Sequence, residues 1–231
     1  GVRVLLKEIN QKCFRAFFLI PGEVFKVVID SIIWAIKHRE RNIADTGLTI
    51  LLEMLRNLDG MTDIAQQFYA QFLLSLLHET FSVLTDKEHE PGFKLQCEIL
   101  QHLVLRVEQG LPAAPLFDAA AHPGVTDNRQ FVRAHLLKML SEGFSDRMTA
   151  TQLQEFVAAL FDTTKDKTAF QTLMRDFLVM LREFNCDQWT QASLALQLEA
   201  QEKEARKKAE EAQKWQSVPG LMPVMQREEV S

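Results

Sequence analysis

The 231-residue chain is 47% hydrophobic and 25% charged, a balance typical of a globular protein with a sizeable core. Its 26 basic and 31 acidic residues give a formal net charge of −5, which argues against nucleic acid as the main partner. No apolar run approaches the ~20 residues that a membrane-spanning helix needs, so no membrane insertion is expected.

The first half of the chain predicts five helices, because apolar residues recur there every three or four positions. They are expected over residues 2–19, 25–38, 43–58, about 62–84 and 93–108. Pro21-Gly22 breaks the pattern between the first two helices, and Asp59-Gly60 is a suitable end for the third. Thr62 or Asp63 is expected to cap the fourth helix.

The predicted helix at 43–58 has an unusually wide apolar surface. One stripe contains Ile43, Gly47, Ile50, Leu51, Met54 and Leu58, and a second contains Leu48, Leu52 and Leu55. Together they cover nearly twice the ~100° arc of an ordinary surface helix. Such a helix is covered on two sides, as happens when helical hairpins stack. The first two hairpins start about 39 residues apart, close to the period of HEAT-type repeats.

The segment 110–126 contains three prolines and predicts a long connection, either a surface crossover or a binding loop. Asp127 or Asn128 then caps a helix that runs through Leu140, and two more helices are expected at 150–161 and 167–184. The resulting fold class is all-α, a right-handed HEAT-repeat solenoid of stacked antiparallel hairpins. The predicted repeat domain covers 1–186, with hairpins near 1–38, 41–84, 92–142 and 149–184.

Beyond this domain the pattern changes. Residues 187–216 predict one long helix that is polar on most faces and supported by four Glu-to-Lys/Arg pairs at i,i+4 spacing. Such a helix is either solvated or laid across a partner surface. Residues 217–231 contain two prolines and little periodicity, which predicts a flexible tail.

The sequence contains none of the common nucleotide-binding, metalloprotease or hydrolase motifs, so neither an enzyme nor a bound cofactor is expected. Glu98 and His102 could share a metal ion at i,i+4 spacing, but a surface hydrogen bond is the more ordinary interpretation. The three cysteines, Cys13, Cys97 and Cys186, are too few and too far apart for a disulfide framework or a zinc cluster. They are expected to be buried thiols in a reducing compartment.

Trp34 is predicted to point away from the apolar stripe of its helix. It could pack against a neighbouring repeat or anchor a partner, because aromatic residues lead interface hot spots. The charged residues around it are Lys26, Lys37, His38, Arg39 and Arg41. They could form a solvated face or meet an acidic partner.

Several segments resemble the C-terminal region of the exportin-1 family of nuclear export receptors, which belong to the importin-β-like superfamily. They are Cys13-Phe14, Ala16-Phe17 and Ile20-Pro21, the run DSIIWAIKHRERNIADTGLTILLEML at 30–55, Phe81–Asp86, Arg175–Val179, Arg182–Phe184 and Ser217–Gly220. The resemblance covers nearly the whole chain in register.

The resemblance implies that this part completes a ring of HEAT hairpins in a receptor that shuttles between nucleus and cytoplasm through nuclear pores. It also implies three partners: Ran-GTP, cargo with leucine-rich export signals, and nucleoporins. Cargo would bind mainly to central repeats that are absent from this chain, and none of its cysteines corresponds to the family's drug-reactive cysteine. The residues expected to contact Ran are Lys26, Asp30, Trp34 and Lys37.

The resemblance further implies that the long C-terminal helix lowers cargo affinity when Ran is absent. The residues assigned to this autoinhibitory helix are Trp189, Leu194, Leu198, Arg206, Lys207 and Lys208. The family's tail is usually acidic, whereas here Met222 and Met225 make the end more apolar, which puts an electrostatic contribution in doubt. The rival interpretation is a stand-alone helical scaffold or adaptor with no role in transport.

Overall fold

A computed structural model of the chain describes residues 2–181, with side chains from Leu5 onward. Within this range it contains eight α-helices, two short 3-10 helices and no β-strand, which confirms the predicted all-α class. The α-helices are α1 (Val2–Lys12), α2 (Gly22–Ile36), α3 (Arg41–Leu58), α4 (Thr62–Thr85), α5 (Phe93–Glu108), α6 (Asn128–Phe144), α7 (Ala150–Leu160) and α8 (Lys167–Leu181). None of these described helices has the length and apolar content to cross a bilayer. The predicted C-terminal helix at 187–216 and the tail at 217–231 lie outside the described residues.

The helices stack on one another in the manner of helical repeats. Helix α3 packs between α1 and α5, and α5 packs in turn against α8, while α2 contacts α3 and α4. Helix α6 packs on α5 and α7, and α7 packs on α8. Because α3 has neighbours on opposite sides, both of its predicted apolar stripes are needed. Their residues are buried apart from the half-buried Ile43, which confirms the two-sided packing expected from the sequence.

Helices α2 and α3 approach each other closely across the corner that the sequence placed between two hairpins. Gly47 of α3 makes this approach possible. A Cβ atom at Gly47 would lie 2.9 Å from the backbone nitrogen of Ile36 and 3.0 Å from the Cβ of Ala35. Glycine at this position therefore lets two helix backbones come nearer than any larger side chain permits.

The predicted helix over residues 2–19 is wrong in its second half. Helix α1 ends at Lys12, and a separate 3-10 helix follows at Phe14–Phe18. Within it Phe14 and Phe18 meet edge to face, with ring centroids 5.2 Å apart, and Phe18 also contacts Phe25 of α2. The apolar periodicity suggested one continuous α-helix, whereas the chain breaks at Cys13 and its aromatic residues pack against one another and against α2.

The cap predicted for α4 is also wrong, because Met61 occupies the N-cap and no side chain caps the helix. Asp63 instead lies in the first turn, where its negative charge is favourable near the helix N-terminus. The caps of two later helices follow the usual rule. Asp127 accepts a hydrogen bond from the backbone nitrogen of Gln130, and Thr149 forms a capping box with Gln152.

The connection at 110–126 contains no helix, as predicted, and one side chain bonds three of its backbone groups. The Asn128 side chain accepts a hydrogen bond from the backbone nitrogen of Leu116 and donates to the carbonyl oxygens of Pro112 and Ala114. Gln66 of α4 also accepts from the backbone nitrogen of Ala113. These bonds satisfy polar backbone groups that a long connection would otherwise leave to water.

Candidate docking site between α2 and α4

All four residues that the sequence assigned to Ran contact lie at one cavity of about 900 Å³ between α2 and α4. Lys26, Asp30 and Trp34 project from α2, and Lys37 follows its last residue. From α4 the cavity is lined by Gln71, Phe72, Ser75 and Glu79. We call this cavity the charged end of the α2–α4 cleft. The contact of these residues with Ran stays a prediction.

Trp34 is 59% exposed, and no neighbouring helix of the described residues covers it. Its ring meets the ring of His38 edge to face, with centroids 4.9 Å apart. Within the described part of the chain, packing against another repeat therefore does not account for this residue. An exposed tryptophan beside a cavity is the kind of side chain that dominates interface energies.

Each cation of the charged end already has a carboxylate partner. Lys26 pairs with Asp30 at 2.7 Å and Lys37 pairs with Glu79 of α4 at 2.8 Å. The hydrogen bond from Lys26 to Asp30 raises the pKa of this exposed lysine. Because both lysines are about half exposed and already paired, they contribute little net energy to a new contact and mainly influence orientation and association rate.

A second cavity of about 390 Å³ adjoins the first and shares Gln71 and Phe72 with it. Its remaining lining residues are Phe17, Phe18, Ile20, Gly22, Phe25, Ile64, Gln67 and Phe68. We call it the aromatic end of the α2–α4 cleft. Phe25 contacts Phe68 and Phe72 with ring centroids 6.3 and 5.9 Å apart, so aromatic rings form the floor where α2 and α4 meet.

Sequence reasoning did not find the α4 side of the cleft. Phe68, Phe72, Ser75 and Glu79 recur every three or four residues and so share one side of α4. That spacing could have identified the face. It could not have shown that the face lies opposite Trp34, because this pairing depends on how α2 and α4 stack.

The possible metal pair Glu98 and His102 is used otherwise in this structure. Glu98 accepts a hydrogen bond from Arg56 of α3 at 2.8 Å and also pairs with Lys167 of α8. His102 lies 3.2 Å from Asp59 and 3.3 Å from the Tyr69 hydroxyl. Both side chains are thus engaged in contacts within the protein, and the part of the chain that the structure describes contains no group of three potential metal ligands.

The cysteine expectations are met for one residue and not for another. Cys97 is buried in α5, and burial raises the pKa of its thiol. Cys13 is exposed, because it lies at the break between α1 and the following 3-10 helix and does not belong to a continuous apolar stripe. Cys186 lies outside the described residues, as do the six residues assigned to the autoinhibitory helix.

Comparison with known proteins shows the family. A family model described as CRM1 C terminal matches residues 4–186. Exportin-1 of Schizosaccharomyces pombe is 39% identical over 98% of this chain, and the match covers 21% of that relative. Protein EXPORTIN 1B of Arabidopsis thaliana is 42% identical over 94% of this chain and 20% of its own length. Exportin-1 of Drosophila melanogaster is 34% identical over the same shares.

The chain thus spans about a fifth of the length of these relatives. The family model covers the helices on both sides of the α2–α4 cleft, and it extends past the last described helix. The stacked helices and the matches together show that this chain belongs to the exportin-1 family, whose C-terminal repeat region it represents.

Proposed function

We propose that this chain is the C-terminal part of a nuclear export receptor that carries cargo with leucine-rich export signals, together with Ran-GTP, through nuclear pores. The observation that carries the proposal is the similarity to proteins named Exportin-1 over 94–98% of this chain. Because the match covers only about a fifth of those proteins, the role assigned here is completion of the repeat ring. Cargo would bind mainly to other repeats, and nucleoporins would meet the receptor during its shuttling between nucleus and cytoplasm.

The second part of the proposal is that the charged end of the α2–α4 cleft contacts Ran-GTP. Trp34 supplies a large exposed aromatic surface, and Ile33 and Phe72 supply an apolar lining beside it. Lys26, Asp30 and Lys37 form a polar rim around this centre. An apolar anchor inside a polar rim is the usual arrangement of a protein interface.

The third part concerns residues 187–231, and its support is the sequence alone. The sequence pattern of 187–216 predicts a mostly polar helix supported by its own ion pairs, and such a helix can exchange between two binding sites. We propose that it lowers cargo affinity in the absence of Ran. A coupling free energy of ~1–3 kcal/mol between cargo and Ran would be ordinary for this kind of regulation.

Binding to Ran distinguishes the transport receptor from the stand-alone scaffold. A full-length receptor carrying this chain should bind Ran in its GTP state and not in its GDP state, measured by equilibrium titration with each nucleotide. Equal binding to both states, or binding to neither, would favour the scaffold.

Deletion of residues 187–231 tests the regulatory part. Without Ran, the truncated full-length receptor should bind a leucine-rich export peptide several-fold more tightly than the intact receptor, since coupling of ~1–3 kcal/mol corresponds to 5–150-fold. An unchanged affinity would mean that the C-terminal segment is structural or serves another partner.

A further inference from the structure

The break between α1 and the following 3-10 helix places a free, exposed cysteine at the edge of a cavity. Cys13 lies between Lys12, the last residue of α1, and Phe14, the first residue of the 3-10 helix. The cavity has a volume of about 430 Å³ and shares no lining residue with either end of the α2–α4 cleft. We call it the Cys13 cavity.

The wall of the Cys13 cavity includes a buried residue with an unused hydrogen-bond acceptor. Asn10 lines the cavity and is 0% exposed. Its Nδ2 donates to the carbonyl oxygen of Ile50 at 3.1 Å, and its own carbonyl oxygen accepts from Nδ2 of Asn57 at 2.9 Å. Its Oδ1 has no hydrogen-bond partner within the described part of the chain. A buried acceptor without a donor is costly, so a ligand N–H group in this cavity would stabilise Asn10.

The charged residues that line the cavity are both basic, Lys12 and Arg15. The pKa of Lys12 is raised chiefly by its hydrogen bond with Glu8, and to a smaller extent by the charge of Cys13 in its thiolate form. The Lys12 ammonium therefore lies near the sulfur atom. Arg15 is exposed and forms no ion pair with any described residue, so its guanidinium is available to an anion. Reactive cysteines are typically found in such electropositive, accessible surroundings.

The remaining part of the lining is apolar. Phe14 is half-buried, and Leu19 is 87% exposed, the largest exposed fraction among the large apolar residues that the structure describes. A ligand that fits this cavity combines a negative charge for Arg15, an amide N–H group for Asn10 Oδ1 and a sulfur atom that can react with Cys13. Small acidic peptides that contain a disulfide have all three features.

We propose that the Cys13 cavity is a thiol–disulfide exchange site for a small anionic peptide disulfide, of which glutathione disulfide is the matching reagent. Carboxylates of the peptide would pair with Arg15 and Lys12, and one of its amide groups would donate to Asn10 Oδ1. The proposal concerns a modification of the receptor that is independent of Ran and of cargo, so it stands or falls separately from the proposed function.

The exchange needs no reagent besides the disulfide. The Cys13 thiol loses its proton to water, and the thiolate attacks one sulfur of glutathione disulfide. The sulfur–sulfur bond of the reagent breaks while a new one forms between Cys13 Sγ and the attacked sulfur. The other half leaves as a thiolate and takes up a proton, so one disulfide and one thiol give one mixed disulfide and one glutathione. Excess reduced glutathione reverses the step.

The first experiment treats the full-length receptor with glutathione disulfide and identifies the modified cysteines by mass spectrometry of its peptides. Cys13 should gain one glutathionyl group that a reducing agent removes. Cys97 is the internal control, because it is buried in the same chain and should remain unmodified. The absence of an adduct at Cys13 in the folded receptor would overturn the proposal.

A second measurement distinguishes a built site from a merely exposed thiol. The rate of modification at Cys13 is measured with glutathione disulfide and with hydroxyethyl disulfide, which has neither charge nor amide groups. The ratio of the two rates in the receptor should exceed the ratio in a synthetic peptide of residues 9–17 at least about fivefold, the effect of one well-placed hydrogen bond. Equal ratios would show that Cys13 is only exposed and would overturn the proposal.

The charge requirement is tested at Arg15. Arg15→Gln should slow the reaction with glutathione disulfide about two- to fivefold, as expected for an exposed ion pair, and leave the reaction with hydroxyethyl disulfide unchanged. Arg129→Gln is the matched control, since it makes the same change at an exposed position of α6 outside the cavity. If the two variants react with glutathione disulfide at the same rate, recognition of an anionic reagent by this cavity is overturned.

Discussion

Helices α2 and α5 have similar lengths but opposite relations to their surroundings. The polar residues Glu98, His102 and Arg106 of α5 all pair with side chains outside the helix, and none of its apolar residues is exposed. The main ion pair of α2, Lys26–Asp30, lies within the helix itself, and Val27 and Trp34 are exposed. The side chains of α5 are thus used in contacts within the fold, whereas α2 leaves part of its apolar surface exposed.

The largest expected effect is on the unfolding free energy, which a substitution on α5 should lower much more than a substitution on the exposed face of α2. Leu103→Ala on α5 removes a fully buried side chain and should lower the unfolding free energy by ~2–5 kcal/mol. Val27→Ala on the exposed face of α2 should change it by less than ~0.5 kcal/mol. Chemical denaturation of both variants tests this difference. Similar losses in the two variants would show that the exposed face of α2 contributes to the fold.

The next largest effect concerns the close contact between α2 and α3 at Gly47. Gly47→Ala should lower the unfolding free energy by ~1–3 kcal/mol, because the new methyl group would press on the backbone at Ile36. Gly143→Ala on α6 is the matched control, since a Cβ there meets no atom within 4 Å. If the two substitutions cost the same, close backbone approach does not explain Gly47.

A smaller expected effect is a pH dependence of the unfolding free energy that arises from His102 of α5. Burial lowers the pKa of His102, and nearby Arg106 and Arg56 lower it further against the opposing effect of Asp59. The unfolded chain therefore binds the proton more readily than the folded protein. Stability should fall as the pH drops below about 6.5, by no more than about 1.4 kcal/mol per pH unit.

His102→Gln should remove this part of the pH dependence, as measured by denaturation between about pH 7.5 and pH 5.5, a range centred on the ordinary histidine pKa. His135 provides an internal reference, because burial also lowers its pKa and it is retained in the variant. An unchanged slope in His102→Gln would assign the pH dependence to other groups.

The smallest effect is expected at Lys26. Its pairing with Asp30 at i,i+4 on an exposed helix face should be worth only ~0.2–0.5 kcal/mol. Lys26→Gln should therefore leave the unfolding free energy nearly unchanged in a denaturation experiment. A loss above ~1 kcal/mol would mean that α2 relies on this pair for its structure, contrary to the comparison with α5.

The regular parts of the fold could be predicted from the sequence because they depend on local spacing. The two apolar stripes of α3 predicted that this helix packs against two neighbours, and α5 begins and ends at the predicted residues. The prediction failed at 14–18, where a 3-10 helix replaces the end of the α-helix and Phe17 and Phe18 contact Phe25 of α2. That contact depends on the position of α2, which residue spacing cannot supply.

The candidate site was predictable only on its α2 side. Trp34 stood out because its position conflicts with the apolar stripe of its own helix, a conflict visible in the sequence. Phe72 and Glu79 gave no such signal, since both fit the ordinary pattern of α4. Their role follows from the stacking of α4 beside α2, and so does the continuity between the two ends of the cleft.

The central claim is that the exposed face of α2 recognises Ran-GTP, and Trp34 tests it most directly. Equilibrium titration of the full-length receptor with Ran-GTP should compare Trp34→Ala with Val179→Ala, a partly exposed apolar position on α8 outside the cleft. We expect Trp34→Ala to raise the dissociation constant about tenfold or more, as for a hot-spot aromatic, and Val179→Ala to leave it unchanged. Equal affinity of the two variants and the unaltered receptor would contradict the assignment of α2 as the recognition helix.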